Sequence, residues 1–176
     1  LLRAEINLWM AKCLVKLNRT EEAAELASSA VATYRQTGIS LSTGDALQEY
    51  ATILIASGRL QQAMASLEQA RILFETGGFD HHASATQLQQ AELLLELQDF
   101  EKAYAEARTV KSYFDAKGLI ARSVRASLVM ISALVGKASK SAFSQEQAQQ
   151  TALLHEALAL CKKSGLLARR HNLQEE

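Results

Sequence analysis

The chain repeats itself every 40 residues, and that period leaves few folds open to it. Ala23, Ala63 and Ala103 stand 40 apart, as do Ala11, Ala51 and Ala91. Leu14, Leu54 and Leu94 keep the same step, followed by Ala30, Ala70 and Val110, by Tyr34, Phe74 and Phe114, and by Gly38, Gly78 and Gly118. A fixed period of this length marks stacked supersecondary units, none of which can bury its apolar face alone. A fourth copy is stretched. Leu134 continues the Leu14 column, but Ala157, Cys161 and Gly165 match Val110, Phe114 and Gly118 at an offset of 47, so about seven extra residues lie between. The small, polar segment 136–144 reads as a loop holding them.

Each copy reads as two helices. Ala23, Ala27, Ala30, Val31 and Tyr34 fall on one face of a 3.6-residue helix, and so do Leu60, Ala63, Leu67, Ala70 and Phe74. Ala, Leu, Gln, Glu and Lys dominate, and proline is absent, so nothing interrupts the helices. Breaks are expected at Asn18-Arg19, Ser57-Gly58 and Gln98-Asp99 within copies. Between copies they fall at Gly38, Gly77-Gly78 and Gly118, where glycine suits a left-handed C-cap. Ser42 with Asp45, and Ser144 with Gln147, have capping-box spacing. Small residues in the alanine columns let paired helices approach, and the aromatic column fills the space toward the next hairpin. The expected fold is all-α: a right-handed superhelical solenoid of about four antiparallel hairpins. The copies run about 4–42, 43–82, 83–122 and 123–168, and 166–176 opens a capping or further helix.

The small-residue columns resemble the tetratricopeptide (TPR) pattern: Ala11/Ala51/Ala91, Ala23/Ala63/Ala103 twelve residues later, and Ala30/Ala70/Val110 seven after that. The chain departs from that family at its Trp position, held here by Asn7, Leu47 and Gln87. It departs again at the usual proline, where Arg35, Glu75 and Asp115 stand. The 40-residue period is similar to TPR-like arrays in bacterial regulators of the maltose-regulator type and in proteins carrying a CHAT protease domain. The resemblance implies three roles: a scaffold for a protein or peptide, a small-ligand sensor arm of a transcription activator, or a recruitment array for a CHAT-type protease.

The concave face of such an array comes from the first helix of each hairpin. By register it offers Leu8 and Lys12, then Gln48, Thr52 and Ile55, then Leu88 and Glu92, then Leu128 and Ser132, with Val15, Leu95 and Val135 alongside. The family's two-carboxylate clamp wants Lys and Asn at positions held here by Leu8/Gln48/Leu88/Leu128 and Lys12/Thr52/Glu92/Ser132, so that clamp is absent. The mixed groove suits an amphipathic helix or another domain of the same protein, or its leucines simply pack on the second helices. Trp9, near the N-terminal end, is a candidate interface anchor or core residue, and exposed array ends would allow self-association.

Chemistry is sparse. His81-His82 point about 100° apart on a helix and read as a solvated helix start rather than a metal site. His155 and His171 have no ligand-spaced partners, and no nucleophile or phosphate-loop motif occurs. No enzyme activity, metal or cofactor is expected. Two distant cysteines, Cys13 and Cys161, make no disulfide framework and read as buried or half-buried thiols in a reducing interior. No apolar run is long enough to span a membrane, and a cytoplasmic setting is expected. The opening Leu-Leu-Arg-Ala-Glu-Ile reads as helix interior, as if excised from a longer protein.

The formal net charge of zero hides an asymmetry. Residues 1–101 hold 13 acidic and 7 basic residues, while 102–170 hold 4 acidic and 12 basic. Aromatic interleaving is missing and the basic residues fall on several faces, which argues against nucleic acid. Solvated faces or head-to-tail complementarity between arrays explain the pattern better.

Overall fold

A 20-residue beat lies beneath the 40-residue period. The computed structural model describes the backbone of residues 1–141 and 147–175, and the side chains of residues 1–140 and 149–168. Among the described residues there are eight helices and no strand: α1 (Leu2–Lys16), α2 (Thr20–Gln36), α3 (Ser40–Ala56), α4 (Leu60–Thr76), α5 (Asp80–Glu96), α6 (Phe100–Ala116), α7 (Ile120–Ser141) and α8 (Gln147–Glu175). Helices α2 to α6 have 17 residues each. A residue with positive φ closes each of the first six at a 20-residue step: Asn18 (61°), Gly38 (69°), Gly58 (71°), Gly78 (73°), Gln98 (58°) and Gly118 (68°).

The turns satisfy the last helical carbonyls in a common way. The N–H of Arg19, Arg59, Phe79, Asp99 and Leu119 each donates to the carbonyl five residues back, at 2.8–2.9 Å. This is the six-to-one bond of the Schellman motif, which needs the left-handed residue just before it. After α2 two hydroxyls supply the same service. Thr37 Oγ1 donates to the Tyr34 carbonyl at 2.6 Å and Thr43 Oγ1 donates to it at 3.2 Å. Caps at the helix starts are fewer. Asp99 accepts from the Lys102 N–H at 3.3 Å at the start of α6. Ser42 and Asp45 lie inside α3, whose N-cap is Ile39, so the capping box expected there does not form. Ser144 lies outside the described residues.

Two compact units divide the chain, 1–86 and 87–176, with the boundary inside α5. In the first, Ala11, Ala23, Ala24, Ala27 and Ile53 form one buried cluster, and Val31, Ala46, Leu47, Ala70, Phe74 and Ala83 a second. In the second unit Leu88, Ala91, Ala107, Val110, Phe114, Ala126, Val129 and Met130 pack together. The alanine columns Ala11/Ala51/Ala91 and Ala23/Ala63/Ala103 are wholly buried, which lets backbones approach within each hairpin. The aromatic column does more than fill the way to the next hairpin. The Phe74 ring lies over Gly44 of its own hairpin, where a Cβ would meet it at 2.5 Å.

The stretched copy departs from expectation. Segment 136–141 is not loop but the last turns of α7, which has 22 residues; residues 142–144 lie outside the described set. Helix is held there because α6 grips it. Ala138 is buried, Lys137 Nζ pairs with Glu101 at 2.7 Å, and Lys140 Nζ donates to the Gln98 carbonyl at 2.8 Å while lying over the Phe100 ring. Phe100 also packs on Gly136, where a Cβ would clash at 2.5 Å. At the other end, α8 runs unbroken from Gln147 to Glu175. No separate helix opens at residue 166, because Gly165 keeps negative φ and strong helix formers, Leu166 to Ala168, carry the helix through it.

Candidate functional site

The first-helix positions behave differently in the two units. In the first, Leu8 is half-buried and packs against both core clusters. Lys12 Nζ pairs with Glu49 at 2.8 Å and sits 4.8 Å from the Trp9 ring centroid. Gln48 Nε2 donates to Thr86 Oγ1 at 2.7 Å. Thr52 is exposed, its hydroxyl donating to the Gln48 carbonyl, and Ile55 is half-buried. These side chains are tied to the protein more than turned to solvent, with Thr52 the main exception.

In the second unit Leu88 is 3% exposed and belongs to the core. Glu92 is clasped by Arg125, whose Nε and Nη2 donate at 2.5 and 2.8 Å. The accessible part is on α7. Leu128 is 56% exposed and Val135 43%, with exposed Ser132 between them. The i, i+4, i+7 spacing puts all three on one helix face, a stripe that water meets.

Other sequence-derived candidates are placed as follows. Trp9 is exposed and lines an apolar depression with Ile6, Met10, Cys13 and Leu14. Both Cys13, on α1, and Cys161, on α8, are exposed, not buried. His81 and His82 do open α5, yet neither is simply solvated. The His82 ring packs 5.2 Å from Phe74 and 6.2 Å from Phe79, centroid to centroid. Among the described residues no three metal-ligating side chains gather.

The basic residues of the second half are largely spoken for. Lys102 pairs with Asp99, Lys111 with Asp115, Arg125 with Glu92 and Lys137 with Glu101. Lys117 and Arg122 lie over the rings of Tyr113 and Phe114. Burial would raise the Asp115 carboxyl, but the bonds donated by Lys111 and Ser123 outweigh it and hold the group below the usual carboxylate range. Asp45 behaves oppositely, pushed up by burial despite the favourable field of His82.

Sequence reading missed one feature. A pocket of about 340 Å³ opens beside the α2–α3 turn, lined by Arg35, Ser40, Thr43, Leu47, Gln69 and Ile72. Its walls come from three helices, so no single periodic stripe marks it. Arg35 donates to the Gln69 side chain across it.

The hairpin stack has known relatives in structure. A TPR-bearing Signal Transduction ATPase with Numerous Domains (STAND) from Pyrococcus horikoshii, with a tetratricopeptide repeat sensor, superposes with a TM-score of 0.61 at 14% identity, over 98% of this chain and 36% of that one. The nearly identical TPR-like repeats assigned to a kinesin light chain of Podosopora anserina give 0.52 at 16% identity, over 92% of this chain and 96% of that one. At such identities these likenesses establish the fold: an all-α, TPR-like array of helical hairpins. Comparison with curated protein sequences returns no match. The family model described as "SNAP: Soluble NSF attachment protein, SNAP" matches residues 4–152, most of the chain. With its paired helices, alanine columns and TPR-like fold, this chain belongs to the soluble NSF attachment protein (SNAP) family.

Proposed function

We propose that the chain is a non-catalytic interaction module that binds a protein partner through its first-helix surface, in a cytoplasmic setting. The observation that carries this is the exposed stripe Leu128–Ser132–Val135 on α7. It leaves two large apolar side chains in water on the helix class that TPR-like arrays present to ligands, where an amphipathic helix could cover them. Of the other first-helix candidates in the second unit, Glu92 would flank such a ligand with a polar contact, while Leu88 supports the surface from beneath. The family name makes NSF the first partner to try. Calorimetric titration of NSF into the purified chain should give saturable binding that Leu128→Glu and Val135→Glu each weaken at least tenfold, about 1.4 kcal/mol. Unaltered binding in both variants would remove α7 from the interface, and no binding at all would remove NSF.

A sensor role has one observation in its favour, the likeness of nearly the whole chain to the array described as a tetratricopeptide repeat sensor. The 340 Å³ pocket, with the Arg35 guanidinium beside Leu47 and Ile72, is where a small ligand would lodge. A thermal-shift screen with nucleotides and oligosaccharides separates the two readings. A stabilisation that Arg35→Ala abolishes supports the sensor, and an unmoved melting temperature across the screen counts against it.

A further inference from the structure

Arg35, on the wall of the 340 Å³ pocket, carries a charge of the opposite sign to the rest of its column. Glu75 and Asp115 hold that position in the next two copies. Each of those acids is neutralised from four residues back on its own helix. Arg71 Nη1 donates to Glu75 at 2.5 Å, and Lys111 Nζ to Asp115 at 2.5 Å. Four residues before Arg35 stands Val31, which has no charge to offer. Among the described residues Arg19, Arg59, Arg71 and Arg125 each pair with a carboxylate, and Arg35 does not. Its guanidinium donates to the side-chain oxygen of neutral Gln69.

The rest of the pocket says what anion would suit that charge. Leu47, Ile72 and Leu73 give it apolar walls, and no carboxylate and no second cation lines it. A guanidinium has five donors in a planar fork, and the Gln69 contact uses one of them. That contact orients the fork and leaves donors that a carboxylate accepts from two at a time. One cation balances one negative charge, which favours a carboxylate over a phosphate dianion. The walls favour a tail without polar atoms. Peptide amides laid against Leu47 and Ile72 would lose water and gain no partner there.

We propose that the pocket binds a small free carboxylic acid with an unbranched apolar tail of roughly six to ten carbons, a size suited to the small end of ligand sites. The carboxylate sits on Arg35 and the tail lies against Leu47, Ile72 and Leu73. This rests on the sensor reading of the pocket and names the class of ligand sensed. Arg35 is exposed, so water and salt screen its charge. Binding should therefore be weak, with a Kd of about 0.1–1 mM, and each methylene that reaches the walls should tighten it about threefold.

Titration of hexanoate, octanoate and octanol into the methyl-labelled 176-residue chain, followed by carbon–proton NMR, tests it. Octanoate should shift the methyls of Leu47, Ile72 and Leu73 to saturation. It should bind about tenfold more tightly than hexanoate, for two methylenes, and at least about fivefold more tightly than octanol. Arg35→Glu installs the residue type that Glu75 has in the same column. That variant, verified as helical by circular dichroism, should bind octanoate at least about tenfold more weakly and octanol unchanged. Ile72→Ser, at a half-exposed position where the next copy has Ser112, should shrink the advantage of octanoate over hexanoate. Octanol binding as tightly as octanoate overturns the proposal, and so does octanoate binding that Arg35→Glu leaves intact. Tighter binding of acetyl-Leu-Leu with a free carboxylate would assign the site to a peptide end instead, and displacement of octanoate by equimolar inorganic phosphate would assign it to phosphate. If octanoate leaves the three methyls unmoved while a nucleotide or oligosaccharide shifts them, the acid is wrong and the sensor reading stands. If nothing in that set shifts them, both fall.

Discussion

Gly44 shows how one residue sets the packing of a hairpin. The other copies place Ala4, Ser84 and Val124 in this column, but only glycine leaves room for the Phe74 ring, 2.5 Å from where a Cβ would be. Gly44→Ala should cost about 1–3 kcal/mol through displacement of that ring, read from urea unfolding; an unchanged midpoint would mean the ring has space to move. Asp115 is the matching electrostatic case. It receives Lys111 Nζ at 2.5 Å and the Ser123 hydroxyl, joining α6 to α7. Its carboxyl is lowered in the folded state from the reference value of 3.8. A depressed carboxyl contributes stability that is complete above the unfolded value and drains away as pH falls through the folded one. Asp115→Asn should therefore lose about 1 kcal/mol near pH 7, modest because the group is half-exposed. As the pH falls through the folded value, variant and wild type should converge. A pH-independent gap between the two unfolding curves would assign the loss to packing instead.

Among the elements, the turns repay the closest look. Four of the six left-handed turn positions are glycine, but Asn18 and Gln98 hold the same conformation with a side chain. Asparagine tolerates it through its short polar side chain, and glutamine less well. Gln98→Gly should stabilise the chain by about 0.5–1 kcal/mol, and Gly58→Ala should destabilise it by a similar amount. Thermal melts of the two variants moving in the same direction would refute the turn assignment. The longest departure from the repeat, α7, teaches a related lesson. Its last turns look like loop by composition, yet Lys137 and Lys140 reach back to Glu101 and Gln98, and Phe100 closes on Gly136. Tertiary contacts outweighed local propensity there.

For the whole molecule, apolar columns and not charges should carry stability. The ion pairs that tie helix to helix, such as Lys12–Glu49 and Arg125–Glu92, have partly or largely exposed members, and such pairs are worth little in water. Raising NaCl to about 0.5 M should alter the unfolding free energy by less than about 1 kcal/mol. A larger fall in stability would show that the pairs hold the hairpins together.

The residues alone determined the helical hairpins, their 40-residue period, six alternating break points and the small-residue columns, because spacing along a helix translates directly into a face. They also placed the polar and apolar first-helix positions in register. They could not say which of those positions meet water. Leu88 and Leu128 share one column, yet one is core and the other exposed. Cys13 and Ile53 share another, and the first is exposed while the second is buried. Nor could they foresee the pocket at Arg35 or the helix through Gly165. Period reports which side of a helix a residue takes. Burial depends on whether a neighbouring hairpin covers that side, and only the tertiary structure decides that.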